Sequence, residues 1–383
     1  MISPLLASVR ADLYEQIYGL PTLPPIRGAD FEQCSRYKVI EFVVLVIARE
    51  CGKECSHNSA QSSIRGAWRT DVKRGETPEQ AAVRFLRENS LFPVSLIPIA
   101  LLLDNDAYSQ PEIRGWGLAF LAPSIPHIAS TPIEHASPRL GTGVLYQDPE
   151  TPQLIKLAKK RLDPQRLFAF RGEVMASYRY ARRLAIHRRF IKPMFRASSN
   201  QLREKILQYA MENEIRFLID VSAGDDLLVL EVANRMNLEL CVANDLSFEN
   251  INLLSRHNKH QNVLFTLHDA TMLPFRTVFD LAICKNTLHH MHNEGEVNCL
   301  LESLRRVAKR ILIVDIEDPR RSGLRARIYN LYHTWFLGDQ GKNFFSREKF
   351  SYLISSFYKD AINIRFEDLS TVRGRYLFAF VEL

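Results

Sequence analysis

The second half of the chain alternates short apolar runs with amphipathic stretches, the pattern of strands and helices taken in turn. RFLIDVSAGDD (216–226) is an apolar run that stops at a turn of small and acidic residues, and LLVLEVANRM then repeats apolar side chains at helical spacing. LELCVAND (238–245), NVLFTLHD (262–269), FDLAICKN (279–286) and RILIVDIED (310–318) have the same strand character. Helical patterns lie over 226–236, 247–257 and 293–308. AINIRFEDL and RYLFAFVEL close the chain around STVRG with no helix between them. A hairpin after a series of βα units puts an antiparallel strand into an otherwise parallel sheet.

The first half has a different rhythm. YKVIEFVVLVIA (37–48) is one long apolar strand, ECGKECSH resembles a hairpin connection, and a proline-started helix is predicted in GETPEQAAVRFLREN. PVSLIPIALLLD and IRGWGLAFLA are two further strands of a mixed sheet. APSIPHIASTPIEHASP (122–138) is expected to be a loop.

At 383 residues the chain predicts two domains, and 46% hydrophobic with 24% charged residues suits a protein with a substantial core. No apolar run is long enough to span a bilayer and the start lacks the pattern of a secretory signal, so no membrane partner is expected. Six cysteines in a chain this long do not form a disulfide framework, which points to a reducing cytoplasm. Cys51, Cys55 and His57 lack a further cluster to complete four ligands, so no metal is expected. Residues 151–200 carry a net charge of +11 while the whole chain carries +7, so the remainder sums to −4. That block is either a solvated connecting helix, with Tyr180, Leu184, His187 and Ile191 on its apolar side, or a contact for an anionic ligand or RNA.

Four motifs in order carry a resemblance. DVSAGDD (220–226), Asp245-Leu246-Ser247, DATMLPF (269–275) and Phe279 to His290 resemble the successive motifs of class I S-adenosylmethionine-dependent methyltransferases of the small-molecule type. The departures are Ser222 and Asp226, where that family usually has glycine; aspartate tolerates a left-handed backbone better than most residues. The resemblance implies an α/β fold, a Rossmann-like seven-stranded sheet with a terminal β-hairpin, over residues 201–383. It implies that Asp245 accepts from ribose hydroxyls, with Leu246 beside it, and that Asp269 and Ala270 lie near the adenine. Ser222, Ala223 and Gly224 would line the methionine portion, Asp220 would orient the loop, and Asn286 and Thr287 would face the reacting centre. His289 and His290 are candidate bases, because imidazole titrates near neutrality; the alternative for each is a helix-start histidine packed on the sheet. TLHHMH is not expected to hold metal, since adjacent histidines do not share a helix face.

The aromatic stretch between the fifth and sixth strands offers Tyr329, Tyr332, Trp335 and Phe336, with Tyr178 from the basic block, as an acceptor pocket or as ordinary helix packing.

In the first half, GAWRTDVKRGETPEQAAVRFLRENSLF resembles a Nudix box and its surroundings. Glu76, Arg84, Leu86 and Glu88 stand in place, whereas Thr70, Phe85, Asn89 and Leu91 replace pattern residues. With two carboxylates gone, the resemblance implies a Nudix-like mixed-sheet domain that does not hydrolyse. The expected order is a helical extension (1–35), a Nudix-like domain (36–148), a basic helical linker or lid (149–200) and a methyltransferase domain (201–383). The resemblance implies methylation of a small-molecule acceptor, with an anionic or phosphate-bearing, biosynthetic acceptor among the options, and S-adenosyl-L-methionine as cofactor. The alternatives are an RNA-modifying methyltransferase and a non-catalytic binding protein.

Overall fold

The computed structural model describes residues 11–23, 40–49, 64–73, 75–89, 91–93, 95–103, 116–126, 144–145, 151–161, 182–183, 185–339, 341 and 343–383. The chain divides into two compact units: 1–171 with 274–277, and 172–273 with 278–383. No helix among the described residues is long and apolar enough to cross a membrane.

The first unit is built on one mixed sheet. Its strands are β1 (Thr22–Leu23), β2 (Ile40–Arg49), β3 (Ile64–Asp71), β4 (Leu91–Pro93), β5 (Ile97–Leu103), β6 (Trp116–Pro126) and β7 (Val144–Leu145). They lie in the order β1-β5-β6-β2-β3-β7, with β4 pairing β6. Both faces of β2 are buried, from Val43 to Val46, as its unbroken apolar run requires. Strand β6 runs on through Pro123 to Pro126, five residues into the stretch expected to be a loop. Pairing with Ala48 and Arg49 of β2 and with all of β4 keeps this segment extended, and the prolines remove only their own N–H donors. ECGKECSH and the remainder of the proline-rich stretch lie outside the described residues.

Helix α1 (Ala11–Tyr18) and helix α2 (Pro78–Glu88) belong to this unit. Thr77 and Gln80 form a reciprocal capping box at the start of α2, with Pro78 in its first turn. Helix α3 (Thr151–Arg161) takes the first part of the basic block into this unit, and residues from 172 onward belong to the other.

The second unit carries β8 (Phe217–Asp220), β9 (Leu240–Asn244), β10 (Val263–Thr266), β11 (Phe279–Lys285), β12 (Ala308–Ile316), β13 (Asn363–Thr371) and β14 (Gly374–Glu382). Their order is β10-β9-β8-β11-β12-β14-β13. All pairings are parallel until β14, which runs antiparallel to β12 and closes the sheet as a hairpin with β13. This is the Rossmann-like seven-stranded sheet with a terminal hairpin that the resemblance implies. Helices α4 (Arg196–Glu212), α5 (Leu228–Arg235), α6 (Phe248–His257), α7 (Glu294–Val307), α8 (Leu324–Tyr332) and α9 (Arg347–Phe357) complete the unit. The chain leaves β8 toward β9 on one side and returns to β11 on the other. The carboxyl ends of β8, β9 and β11 therefore meet where the strand order reverses, and ligands of such sheets bind in that crevice.

Candidate active site

Three strand ends build the first part of the site. Asp220 ends β8 fully buried; its Oδ1 accepts from Ser222 N–H at 3.4 Å, while Oδ2 has no partner. Burial pushes this carboxyl up to about 6, partly opposed by the Lys285 ammonium. Asn244 ties the neighbouring ends together, donating to the carbonyls of Val221 and His268 at 2.9 Å each and accepting from Thr266 Oγ1 and His268 N–H. Gly224 takes φ +65°, and nothing stands within 4 Å of where its side chain would be. Its N–H donates to Asp245 Oδ2 at 2.8 Å. Asp245 Oδ1 accepts from Ser247 N–H at 2.7 Å and Asn250 Nδ2 at 3.2 Å. Burial raises the Asp245 carboxyl, and these donors counter it.

The left-handed backbone falls at Leu227 (φ 60°), not at Asp226 as the missing glycine suggested. Leu227 is the N-cap of α5, so its carbonyl can begin the helix, accepting from Leu230 and Glu231 N–H. Asp226 instead pairs with the buried Lys285 ammonium, which burial lowers to about 8.

Beyond β11, Asn286 is left-handed (φ 54°) and its Oδ1 is buried without a partner. Thr287 Oγ1 bonds Ser222 Oγ and donates to the Lys285 carbonyl, joining this exit to the β8 loop. The 3₁₀ turn Leu288–His290 follows. His289 is buried with Nδ1 2.6 Å from Asp315 Oδ1, and its N–H donates to Asp315 Oδ2 at 3.1 Å. Phe344 stacks on the imidazole at 5.1 Å, and Gly341 leaves no room for a side chain against it. Asp315 thus fixes the ring, and in the tautomer that donates Nδ1–H to it the lone pair lies on Nε2.

The rings of His289 and His290 come close despite being sequence neighbours, with centroids 4.3 Å apart. Together with Asp339 their ligand atoms lie within 4.8 Å of one another; among the described residues this is the group that could hold a metal ion. Burial raises the Asp339 carboxyl, but His333 and the charges of His290 and His289 outweigh it and hold it well below the usual range.

The basic block and the stretch after β12 supply the remaining wall. His187 is buried, 3.1 Å from Tyr332 Oη and edge-on to His333; burial and His333 lower it to about 4. Tyr329 packs against Phe195 and His333 at 4.7 and 4.4 Å, and Phe336 stacks on Tyr332 at 5.2 Å. Trp335 is 79% exposed and stands apart from this cluster, contrary to expectation, because the helix turns it to the outer side. Tyr178 lies outside the described residues.

Arg188 departs from a solvated connector: it donates to Asp225 Oδ2 at 2.8 Å and to Asn250 Oδ1 at 2.6 Å. Lys192 reaches Asp225 Oδ1 at 2.6 Å. Burial raises the Asp225 carboxyl, but these two cations hold it well below the carboxylate range. Arg182, Arg183 and Arg189 are exposed. The helix itself breaks into a π turn (His187–Ile191) and a 3₁₀ turn (Lys192–Phe195). Pro193 lacks the N–H that would continue it.

Asp269 accepts from Thr271 N–H and Oγ1 at 2.8 Å each, capping the turn Ala270–Met272; Ala270 is buried and Leu246 half-buried. Motif reading missed Asp315, Asp225, Asp339 and His333. Of these, Asp315 was visible as a lone acid inside the apolar run of β12.

Residues 219–313 match the family described as "Methyltransferase domain". No curated protein matches the chain. Among solved structures, magnesium protoporphyrin IX methyltransferase from Synechocystis PCC 6803, with bound SAH, is similar at 15% identity and TM-score 0.40, over 50% of this chain and 87% of that one. The DhpI–SAH complex is similar at 18% identity and TM-score 0.39, over 55% and 96%. The plantazolicin methyltransferase BamL, in complex with a triazolic desmethylPZN analog and SAH, gives 14% and 0.40, over 54% and 89%. The residues present fit such a cofactor: a glycine with open space beside it, two buried strand-end carboxylates, and unpartnered buried acceptors at Asp220 Oδ2 and Asn286 Oδ1 suit a cationic amino-acid group and a ribose. Over residues 219–313 the chain carries a methyltransferase domain.

Proposed function

We propose that the chain methylates a small-molecule acceptor bearing an ionisable heteroatom, with His289 as the base. The observation that carries this reading is the buried His289–Asp315 pair, one turn beyond Asn286 and Thr287 at the carboxyl edge of the sheet. When bound, the cofactor supplies an electrophilic methyl group on a sulfonium. The chain's own residues do the rest: Asp245 and Gly224 hold the cofactor's ribose and methionine parts, and Asp269 and Ala270 the adenine end. Tyr329, Tyr332 and Phe336 exclude water around the acceptor, and His289 Nε2 takes its proton. Positioning and desolvation account for most of the acceleration in such a displacement.

The first half, on this reading, is a Nudix-like domain (36–148) that binds or scaffolds without hydrolysing. In support, Arg84 Nε donates to Glu76 Oε1 at 2.9 Å, while Phe85 is buried and Asn89 donates back to the Phe85 carbonyl, so neither offers a carboxylate for metal. A cytoplasmic, biosynthetic setting is part of the same proposal.

The test is methyl transfer from labelled S-adenosylmethionine to fractions of a small-metabolite extract. Asp315→Asn is expected to leave cofactor affinity unchanged and to slow transfer by about 10²–10⁴ through loss of ring orientation. Transfer undiminished in that variant refutes His289 as the base.

A further inference from the structure

Two helical segments of the second unit turn apolar side chains outward. Along helix α8, Leu324, Ile328 and Leu331 follow the spacing i, i+4, i+7, a single stripe, and Trp335 stands in the π turn His333–Leu337 that continues it; each is more than half exposed. On 186–194, Ile186, Phe190 and Met194 recur at every fourth residue and are exposed as well. The segments touch through His187 with Tyr332 and Phe195 with Tyr329. Among the described residues twelve large apolar side chains are exposed, and seven stand on these two segments, so the patch is local rather than typical of the surface.

The charge that the two segments themselves carry has one sign. Arg182, Arg183, Arg189, Arg325 and Arg327 are exposed, and neither 182–196 nor 320–337 contains an aspartate or glutamate. The Arg189 guanidinium lies 5.3 Å from the Phe190 ring centre, and Arg183 Nη1 donates to the Phe336 carbonyl at 3.2 Å. At the margin Arg320 and Arg321 pair with Asp318 and Glu348.

We propose that this face docks on a bilayer surface rich in anionic lipid. The two segments lie in the interface plane, with the seven apolar side chains at the acyl boundary and the arginines among the phosphates. An interfacial surface needs no spanning run, which is why the apolar pattern alone predicted no membrane partner. A second copy of the chain fits less well, because a two-fold contact sets arginine against arginine. Nucleic acid would engage the arginines but leave Leu324, Ile328 and Leu331 in water. On the reading above, the inner sides of the same segments carry His187, Tyr329 and Tyr332, so the bilayer lies beside the acceptor.

The full chain is sedimented with phosphatidylcholine vesicles, alone or mixed with phosphatidylserine. It is expected to follow only the mixed vesicles, and less so as salt rises. Phe190→Ser with Leu331→Ser should weaken vesicle binding by roughly tenfold or more at an unchanged melting temperature, since both side chains are already in water. Arg182→Gln with Arg189→Gln should remove the preference for phosphatidylserine. Failure to sediment with either vesicle, or undiminished binding by the serine variant, overturns the proposal. So does a dimer in solution that the serine variant dissociates, or RNA binding in its place that the glutamine variant abolishes.

Discussion

Asp245→Ala is the sharpest perturbation of the cofactor crevice, because one carboxylate serves two purposes there. In the folded chain it accepts from Gly224 N–H, Ser247 N–H and Asn250 Nδ2. Alanine leaves two backbone donors without acceptors at a position only 9% exposed, at about 1–3 kcal/mol each. That cost falls on the free protein and should appear as a lower melting temperature. Affinity responds separately. Loss of charge-assisted hydrogen bonds to a ribose is worth about 1.5–3 kcal/mol, or roughly tenfold to a hundredfold in Kd. Calorimetric titration with S-adenosylmethionine, paired with thermal unfolding, reads both. Asp245→Asn keeps a carbonyl acceptor for the loop and should recover much of the stability but little of the affinity. If Asp245→Ala melts lower yet binds like the parent, the carboxylate only staples the loop and its ribose role is wrong. If neither quantity changes, the site has been placed on the wrong strand end.

Other expectations follow from individual contacts. Arg188→Gln should lower cofactor affinity several-fold, because Asp225 in the turn after Gly224 loses a partner, while the exposed Arg182, Arg183 and Arg189, changed together to glutamine, should shift it by less than about twofold; equal effects in calorimetry would contradict the geometry. Burial pushes Glu79, hydrogen-bonded by Tyr14 Oη at 2.7 Å, up to about 7. The folded state then binds more protons than the unfolded one between pH 4.5 and 7, so stability should fall as pH rises through that window, by about 3 kcal/mol in total. Glu79→Gln should flatten this slope in denaturant titrations, and a slope that persists would locate it elsewhere. No magnesium-dependent hydrolysis of nucleoside diphosphate compounds is expected, because Phe85 and Asn89 offer no carboxylate; turnover that vanishes in Glu88→Gln would disprove this.

The strands were legible because β8 to β12 are short and buried, so that their apolar runs stand out against polar connections. The acids at their ends were legible for the same reason, since a charge that closes an apolar run lies at a sheet edge. Tertiary pairing was not. His289 and Asp315 are far apart in sequence and become neighbours only because β11 and β12 pair in parallel, which no local pattern reports. The basic block misled in a different way. RYARRLAIHRRFIKPMF reads either as a solvated connecting helix or as a contact for an anionic ligand or RNA, yet Pro193 denies the helix a hydrogen bond, the turns at His187–Ile191 and Lys192–Phe195 re-aim the side chains, and Arg188 comes to face Asp225. Charge composition alone could not distinguish this arginine from its exposed neighbour Arg189. Trp335 met neither of its two readings: offered as a pocket wall or as helix packing, it is exposed in the folded chain, as are Leu324, Ile328 and Leu331, although apolar side chains at helical spacing ordinarily mark a buried face. Helical geometry commits side chains to a common face, but which face meets solvent is decided by tertiary packing, and that is the part no local pattern reports.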